Sequence, residues 1–152
     1  MDLALLDAAR ELGARESGLA VVVTTRDDGS AQATVVNAGV LSHPLTAEPI
    51  VVFVAAGHAK KLTHLRLRPR VTVVFRAGWE WVTVEGEAEL AGPDDVLDGL
   101  QPGAVAGLLR EIYAAAVGGI ADDWAELDDV FAVERHTGVL IRPRRVYSNS
   151  SP

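Results

Sequence analysis

Six cations, Lys60, Lys61, Arg66, Arg68, Arg70 and Arg76, fall within one short stretch, while the acids gather at Asp94 to Asp98 and Asp122 to Asp129. The chain as a whole carries a formal charge of −7. The basic stretch therefore reads as a local anion site and not as a basic face for nucleic-acid phosphates or anionic lipid. A phosphate-bearing ligand needs cations and backbone N–H donors in one place. Gly57 to Leu62 offers both, with a lysine pair next to a glycine and a helix start. On charge alone Lys60 and Lys61 are better read as a solvated helix start. His43, in an irregular loop, is a candidate proton donor because an imidazole titrates near neutrality, although a loop histidine of this kind is ordinarily bathed in solvent. Trp79 and Trp81 could wall a substrate cleft by stacking, or could fill a core or a subunit contact.

Other chemistries are excluded. The chain has no cysteine, so thiol nucleophiles, disulfides and cysteine zinc sites are ruled out, and any redox chemistry needs a borrowed cofactor. The four histidines, at 43, 58, 64 and 136, lack the i, i+4 pairing of a metal centre, and no metal is expected. The glycine-rich fragments lack the strand, G-x-G-x-x-G and helix context of a Rossmann dinucleotide site. With 152 residues, 49% hydrophobic and 23% charged, residues 1–152 are expected to form one folded domain. No basic leader or long apolar run is present, so a cytoplasmic protein with no membrane or nucleic-acid partner is expected.

These groups must be positioned by a recognisable series of elements. Leu3 to Leu12 has helical apolar spacing, with Asp2 as N-cap and Gly13 as C-cap. Leu19 to Thr25 and Ala31 to Val40 are β-branched runs joined by the turn Arg26-Asp27-Asp28-Gly29, which predicts a hairpin. Ile50 to Val54 predicts a third strand, buried on both faces, after an irregular loop from Leu41 to Pro49. Lys60 to Leu67 predicts a short helix stopped by Pro69. Val71 to Phe75 and Trp81 to Leu90 predict two strands turning at Gly78. A helical region is expected from Pro93 to Val117, interrupted at Pro102-Gly103, with its acids at the favourable end of the dipole and Gly118-Gly119 as a stop. A further helix is expected from Asp122-Asp123 to about Arg135. The last strand, Val139 to Tyr147, carries Pro143 at an edge or bulge, and Ser148 to Pro152 is expected to fray. Six strands in mainly sequential order, without regular helix alternation, predict a mainly β, α+β antiparallel barrel with peripheral helices.

Five stretches in register, Gln32-Ala-Thr-Val-Val-Asn, Phe53, His58-Ala-Lys-Lys-Leu, Leu65-Arg-Leu-Arg-Pro-Arg-Val-Thr and Trp79-Glu-Trp-Val-Thr-Val-Glu-Gly-Glu-Ala-Glu-Leu, resemble the pyridoxamine 5'-phosphate oxidase-like superfamily over residues 18–149. Within it the chain looks most like the actinobacterial deazaflavin-dependent branch, whose members often end near an Arg-Val-Tyr segment such as Arg145-Val146-Tyr147; the Ala, Val, Arg and Gly richness agrees with such a source. The resemblance implies an FMN-binding-type split β-barrel homodimer that holds coenzyme F-420, or alternatively FMN, in a groove between subunits. It places Thr34, Val35, Val36 and Asn37 beside the ring, with Phe53 nearby and His58, Lys60 and Lys61 at the phosphate. Lys61 matches the family's phosphate-binding lysine, and the arginine frequent nearby is His58 here. Thr34 and Asn37 are as well suited to meeting water on an outer strand face. Arg144, Arg145 and Tyr147 are placed to reach the partner's cofactor, or to form an ordinary charged terminal strand. The implied activity is an F-420-dependent reductase that passes a hydride between the deazaflavin and a small conjugated organic substrate. An FMN-dependent oxidase or reductase, and a non-catalytic barrel that binds flavin, haem or a tetrapyrrole, are the alternatives.

Overall fold

The computed structural model describes residues 2–119 and 122–150. Its elements are α1 (Leu3–Arg15), β1 (Leu19–Thr25), β2 (Ala31–Ser42), β3 (Pro49–Ala55), α2 (Lys60–Leu67), β4 (Arg70–Ala77), β5 (Glu80–Ala91), α3 (Val105–Val117), α4 (Trp124–Val133) and β6 (Thr137–Ser148). The strands close into an antiparallel barrel in the order β1-β2-β3-β6-β5-β4, so the last strand inserts between the third and the fifth. This is the six-stranded architecture expected. The predicted hairpin forms through Gly29, whose φ of +85° closes the turn with its N–H on the Arg26 carbonyl at 2.9 Å.

Strand alternation divides the apolar residues between two cores. Inside the barrel, Val22, Val51, Phe53, Val73, Phe75 and Val84 pack together, and α1 and α2 close the ends with Leu6, Leu12, Leu62 and Leu65. Phe53 and Phe75 are fully buried, each worth about 2–3 kcal/mol of transfer free energy. Outside it, Ile50, Val52 and Leu140 face the Leu108 and Ile112 stripe of α3. β3 is therefore covered on both faces, as its unbroken apolar run predicts. The C-terminal turn of α3 lies directly against sheet backbone: a Cβ on Gly39 would stand 2.5 Å from the Ala115 carbonyl oxygen, and one on Gly18 1.6 Å from that of Ala116. Among the described residues no helix is long and apolar enough to cross a membrane.

Four expectations need correction. The helix expected from Pro93 starts only at Val105, after a 3-10 turn at Pro102–Ala104. Gly92 and Asp95 instead exchange backbone hydrogen bonds at 3.0 and 3.3 Å. The acids serve tertiary ion pairs and no helix dipole: Arg66 donates to both oxygens of Asp95 at 2.9 and 2.7 Å, and Arg135 grips Asp94. Gly13 does not end α1. It is buried next to Phe75 inside the helix, and the chain turns later through Ser17 and Gly18, with φ of +57° and +78°. The predicted N-cap stands, since Asp2 accepts from the Leu5 N–H at 3.1 Å. α4 covers Trp124–Val133, a shorter span than expected, with Asp123 as its N-cap. Finally, Ser148 does not fray: it pairs with Val82, and Asn149 donates to the Trp79 carbonyl at 2.7 Å, while Ser151 and Pro152 lie outside the described residues. Pro143 sits at a bulge, where the β5–β6 register shifts between Glu85 and Gly86.

Candidate functional site

β2 is a corner strand. Its first half, Ala31 to Asn37, pairs with β1, and its second half, Ala38 to Ser42, pairs with β3. Among the described residues the first half has no strand on its other edge, so the barrel is split there. α2 runs beside this hairpin, tied at two points. Arg68 donates to Asp27 in the hairpin turn, and His64 Nδ1 lies 3.0 Å from the hydroxyl of buried Thr24, which is paired with Gln32. Lys61 lies one turn before His64 on the same side of α2.

The start of α2 has no side-chain cap. Its N-cap, Ala59, has no side chain able to satisfy the first N–H groups, and no side-chain cap bond is made. Lys61 is half-buried, and burial pushes its ammonium below the usual lysine pKa. No described carboxylate lies in ion-pair range of Lys60 or Lys61, unlike Arg66, Arg135 and Arg142. Along the same seam, the Oε1 of Gln32 and the Nη1 of Arg68 are buried without a hydrogen-bond partner among the described residues. Each such orphan carries a desolvation penalty. Gln32 was not singled out from sequence, yet it lies two residues from Thr34 on the same strand face, and that period of two was the available signal.

The other sequence-predicted residues divide. Thr34 and Val36 face the barrel side, and Val36 packs on the inner core. Val35, 64% exposed, and Asn37 face outward, and Asn37 Nδ2 donates to the Ser17 carbonyl at 2.9 Å. His58 and Lys60 are exposed. Phe53 is fully buried inside the barrel, so it can support this region only from beneath. His43 belongs to no open loop surface. It is 2% exposed, its Nδ1 accepts from the Leu45 N–H at 3.1 Å, and its Nε2 lies 2.9 Å from Glu89, which fixes the Nε2–H tautomer. It pins the loop from β2 to β3 against β5, and with both ring nitrogens engaged it is a structural residue, not a proton donor poised at a cleft.

Arg145, Tyr147, Trp79 and Trp81 belong to a second region. Tyr147 donates to Glu85 at 2.6 Å, an interaction that, with burial, holds its phenol above the usual tyrosine pKa. Its ring meets Trp81 edge to face at a centroid distance of 6.1 Å. Arg144 donates to Glu87 at 3.0 Å, and Arg145 approaches Glu85 at 3.9 Å. Trp79 is 93% exposed. Cross-strand pairing aligns Val35, Val21, Val74, Thr83 and Tyr147 in one outward-facing row over β2, β1, β4, β5 and β6. Val35 and Tyr147 thus stand at opposite ends of a single strand row, while Thr34 lies in the half of β2 that pairs only with β1. Among the described residues no cluster of three or more His, Asp or Glu is arranged to hold a metal ion.

Six antiparallel strands, closed except where one corner strand parts from its neighbour beside a lysine-bearing helix start, define a split-barrel protein. Within that class the chain belongs to the pyridoxamine 5'-phosphate oxidase family, whose model matches residues 5–134. Among solved structures it is similar to a conserved hypothetical protein from Mycobacterium tuberculosis, at 19% identity over 97% of this chain and 83% of that one, with a TM-score of 0.66. It is also similar to the haem storage protein of Vibrio cholerae, at 10% identity over 93% and 90% of the two chains and a TM-score of 0.60. An F420 reductase matches at 17% identity over 91% and 94%, with a TM-score of 0.54. At these identities the likeness is one of fold, and function must be argued from the site. No curated protein matches the chain.

Proposed function

We propose that this protein is an F-420-dependent reductase acting as a homodimer, with the deazaflavin held between subunits. The observation that carries this reading is the start of α2 beside the barrel, where a half-buried lysine without an ion pair among the described residues meets an uncapped helix N-terminus. That donor set fits a phosphate-bearing cofactor. Lys61 and the first N–H groups of α2 hold the phosphate, with Lys60 and His58 at the exposed rim. Thr34 and Val36 edge the ring along the half of β2 that pairs with β1 alone. A reduced deazaflavin held there would supply hydride chemistry toward a conjugated substrate, while the residues of this chain bind and orient the two.

The second copy supplies the other wall. Leu19, Val21, Val35 and Tyr147 are 46%, 38%, 64% and 37% exposed on the outer face, an apolar band of the kind that marks an interaction surface. The family is commonly dimeric, and a partner seated on this band would bring its Trp79, Trp81, Arg145 and Tyr147 toward the substrate side of the neighbouring split. FMN shares the phosphate chemistry and is the alternative cofactor. A haem or tetrapyrrole carrier is favoured by one observation, the fold likeness to a haem storage protein.

The test is a titration of the purified protein with F-420, FMN and haem, read by fluorescence quenching and the Soret band, and repeated on Lys61→Ala. The reading stands if F-420 binds and the variant weakens it at least tenfold. Binding of FMN alone replaces the cofactor, binding of haem alone replaces the enzyme with a carrier, and an unchanged Lys61→Ala removes the phosphate site.

A further inference from the structure

The loop between β2 and β3 is organised around one imidazole. Pro44 has no N–H, so the loop that follows His43 offers the amides of Leu45, Thr46, Ala47 and Glu48, and each needs an acceptor. His43 accepts from the first three. Its Nδ1 receives the N–H groups of Leu45 at 3.1 Å and Thr46 at 3.4 Å, and its carbonyl receives that of Ala47 at 2.9 Å. Glu48 donates to the Thr46 hydroxyl at 3.3 Å, and its carbonyl accepts from the His43 N–H at 2.7 Å. A side-chain acceptor for the amides two and three residues on is what Asn or Asp provides in an Asx turn, and here an imidazole takes that place. Ala47 stands at φ +63°, in the left-handed region that a residue with a Cβ keeps only where its surroundings hold it. The closed loop seats Leu45 on Gly99, where an added Cβ would lie 3.1 Å from Leu45 Cδ1.

The other ring nitrogen meets charge. Nε2–H donates to Glu89 of β5 at 2.9 Å, and the same carboxylate oxygen accepts from Arg142 Nε of β6 at 2.9 Å. Arg142 also lies 3.7 Å from the Glu48 carboxylate at the base of the loop. Asp98, next to Gly99 on the segment that Leu45 touches, is exposed. Burial opposes the ionisation of Glu89, but hydrogen bonds from Arg142 and His43 outweigh it and hold the carboxyl below its ordinary pKa. A proton taken up by the ring in weak acid therefore arrives beside a carboxylate that is still charged.

The neutral ring has on Nδ1 the lone pair that the two amides use. The imidazolium has none, because both of its nitrogens are donors, so a proton on Nδ1 faces two N–H groups. The same proton turns the bond to Glu89 into a charge-assisted ion pair, the stronger kind. The ring is then held on β5 while the loop loses its acceptor. We infer that His43 is a pH-operated latch on the β2–β3 loop: the neutral ring holds the tip at Leu45 and Thr46 closed, and protonation at Nδ1 releases that tip and lifts Leu45 from Gly99. The base of the loop stays in place, since the bonds joining the backbones of His43, Ala47 and Glu48 do not use the ring. None of the residues placed at the cofactor takes part.

The experiment is amide hydrogen exchange followed by NMR across a pH series and expressed as protection factors, with the nitrogen shifts of the His43 ring read in the same samples. Protection of Leu45 and Thr46 is expected to fall about tenfold or more at the midpoint at which the ring titrates, while the amides of β3 keep theirs. His43→Asn retains an acceptor for both amides and takes up no proton, so their protection should no longer depend on pH. Glu89→Gln leaves a neutral acceptor for Nε2–H and should move the midpoint of release down by about one pH unit, and it tests the latch even if His43→Asn does not fold. Four results overturn the inference: a ring that titrates with Leu45 and Thr46 still protected, a ring that stays neutral until the barrel unfolds, a His43→Asn loop that opens over the native pH range, or a Glu89→Gln midpoint that does not move.

Discussion

β3 and β1 are both short, uncharged and rich in valine, yet they end in different surroundings. The outward side of β3, Ile50 and Val52, is sealed by α3, whereas the outward side of β1, Leu19 and Val21, is left open. The same apolar content is core in one place and surface in the other. α3 can seat on β3 because Gly39 and Gly18 let its last turn touch the backbone, whereas on the opposite side β1, β4 and β5 carry Val21, Val74 and Trp81. A strand with apolar residues on both faces and a cover for only one leaves part of its apolar surface open.

That contrast can be broken most severely at the closest approach. Gly39→Val should cost about 4 kcal/mol or abolish cooperative urea unfolding, because the new Cβ meets helix backbone that cannot yield. A mild loss would show that α3 shifts freely. Ile112→Ala, on the covered side, should cost about 3 kcal/mol in the same assay through the cavity it leaves, and a loss under ~1 kcal/mol would mean the cover is loosely packed.

Between the two faces lies Glu89. Burial alone would raise its pKa, but hydrogen bonds from Arg142 and His43 outweigh this and hold the carboxyl below its ordinary value. A depressed folded pKa stabilises the protein above the unfolded value, about 4.3, and the benefit disappears as pH falls through the lower folded value. Glu89→Gln should therefore cost about 1–2 kcal/mol at neutral pH, and its thermal melt should converge on the native one in acid. A gap that persists unchanged into acid would place the effect in packing. The smallest stability effect is expected on the open face: Val35→Asp should change protomer stability by roughly 0.5 kcal/mol or less, yet move the sedimentation coefficient from dimer to monomer. An unchanged coefficient would show that no second copy covers this face.

The strands were legible because their apolar residues recur with a period of two and their turns carry glycine, as at Gly29 and Gly78. The acids after Pro93 misled, since Pro-Asp-Asp imitates a helix start, while the arginines that claim them, Arg66 and Arg135, lie 29 and 41 residues away. Distance hid His43 in the same way: its partner Glu89 is 46 residues on, and Arg142 a further 53. Lys61 was found through its neighbours in sequence, but its half-burial and the orphaned Gln32 and Arg68 atoms beside it arise only when α2 folds back on the hairpin. His136 looked like one of several scattered histidines. Its place beside the Phe131 ring, 5.0 Å away, shows only in the folded chain.

The insertion of β6 between β3 and β5 also has a consequence in time. During synthesis the first five strands emerge before the one that joins them, so a nascent chain carries two bare edges, on β3 and on β5, until residues 137–148 are made. Closure waits on translation. Through that interval the most apolar strand of the molecule is open to pairing with a neighbour on the same message, and the speed of elongation across the helical stretch before β6 sets how long that hazard lasts.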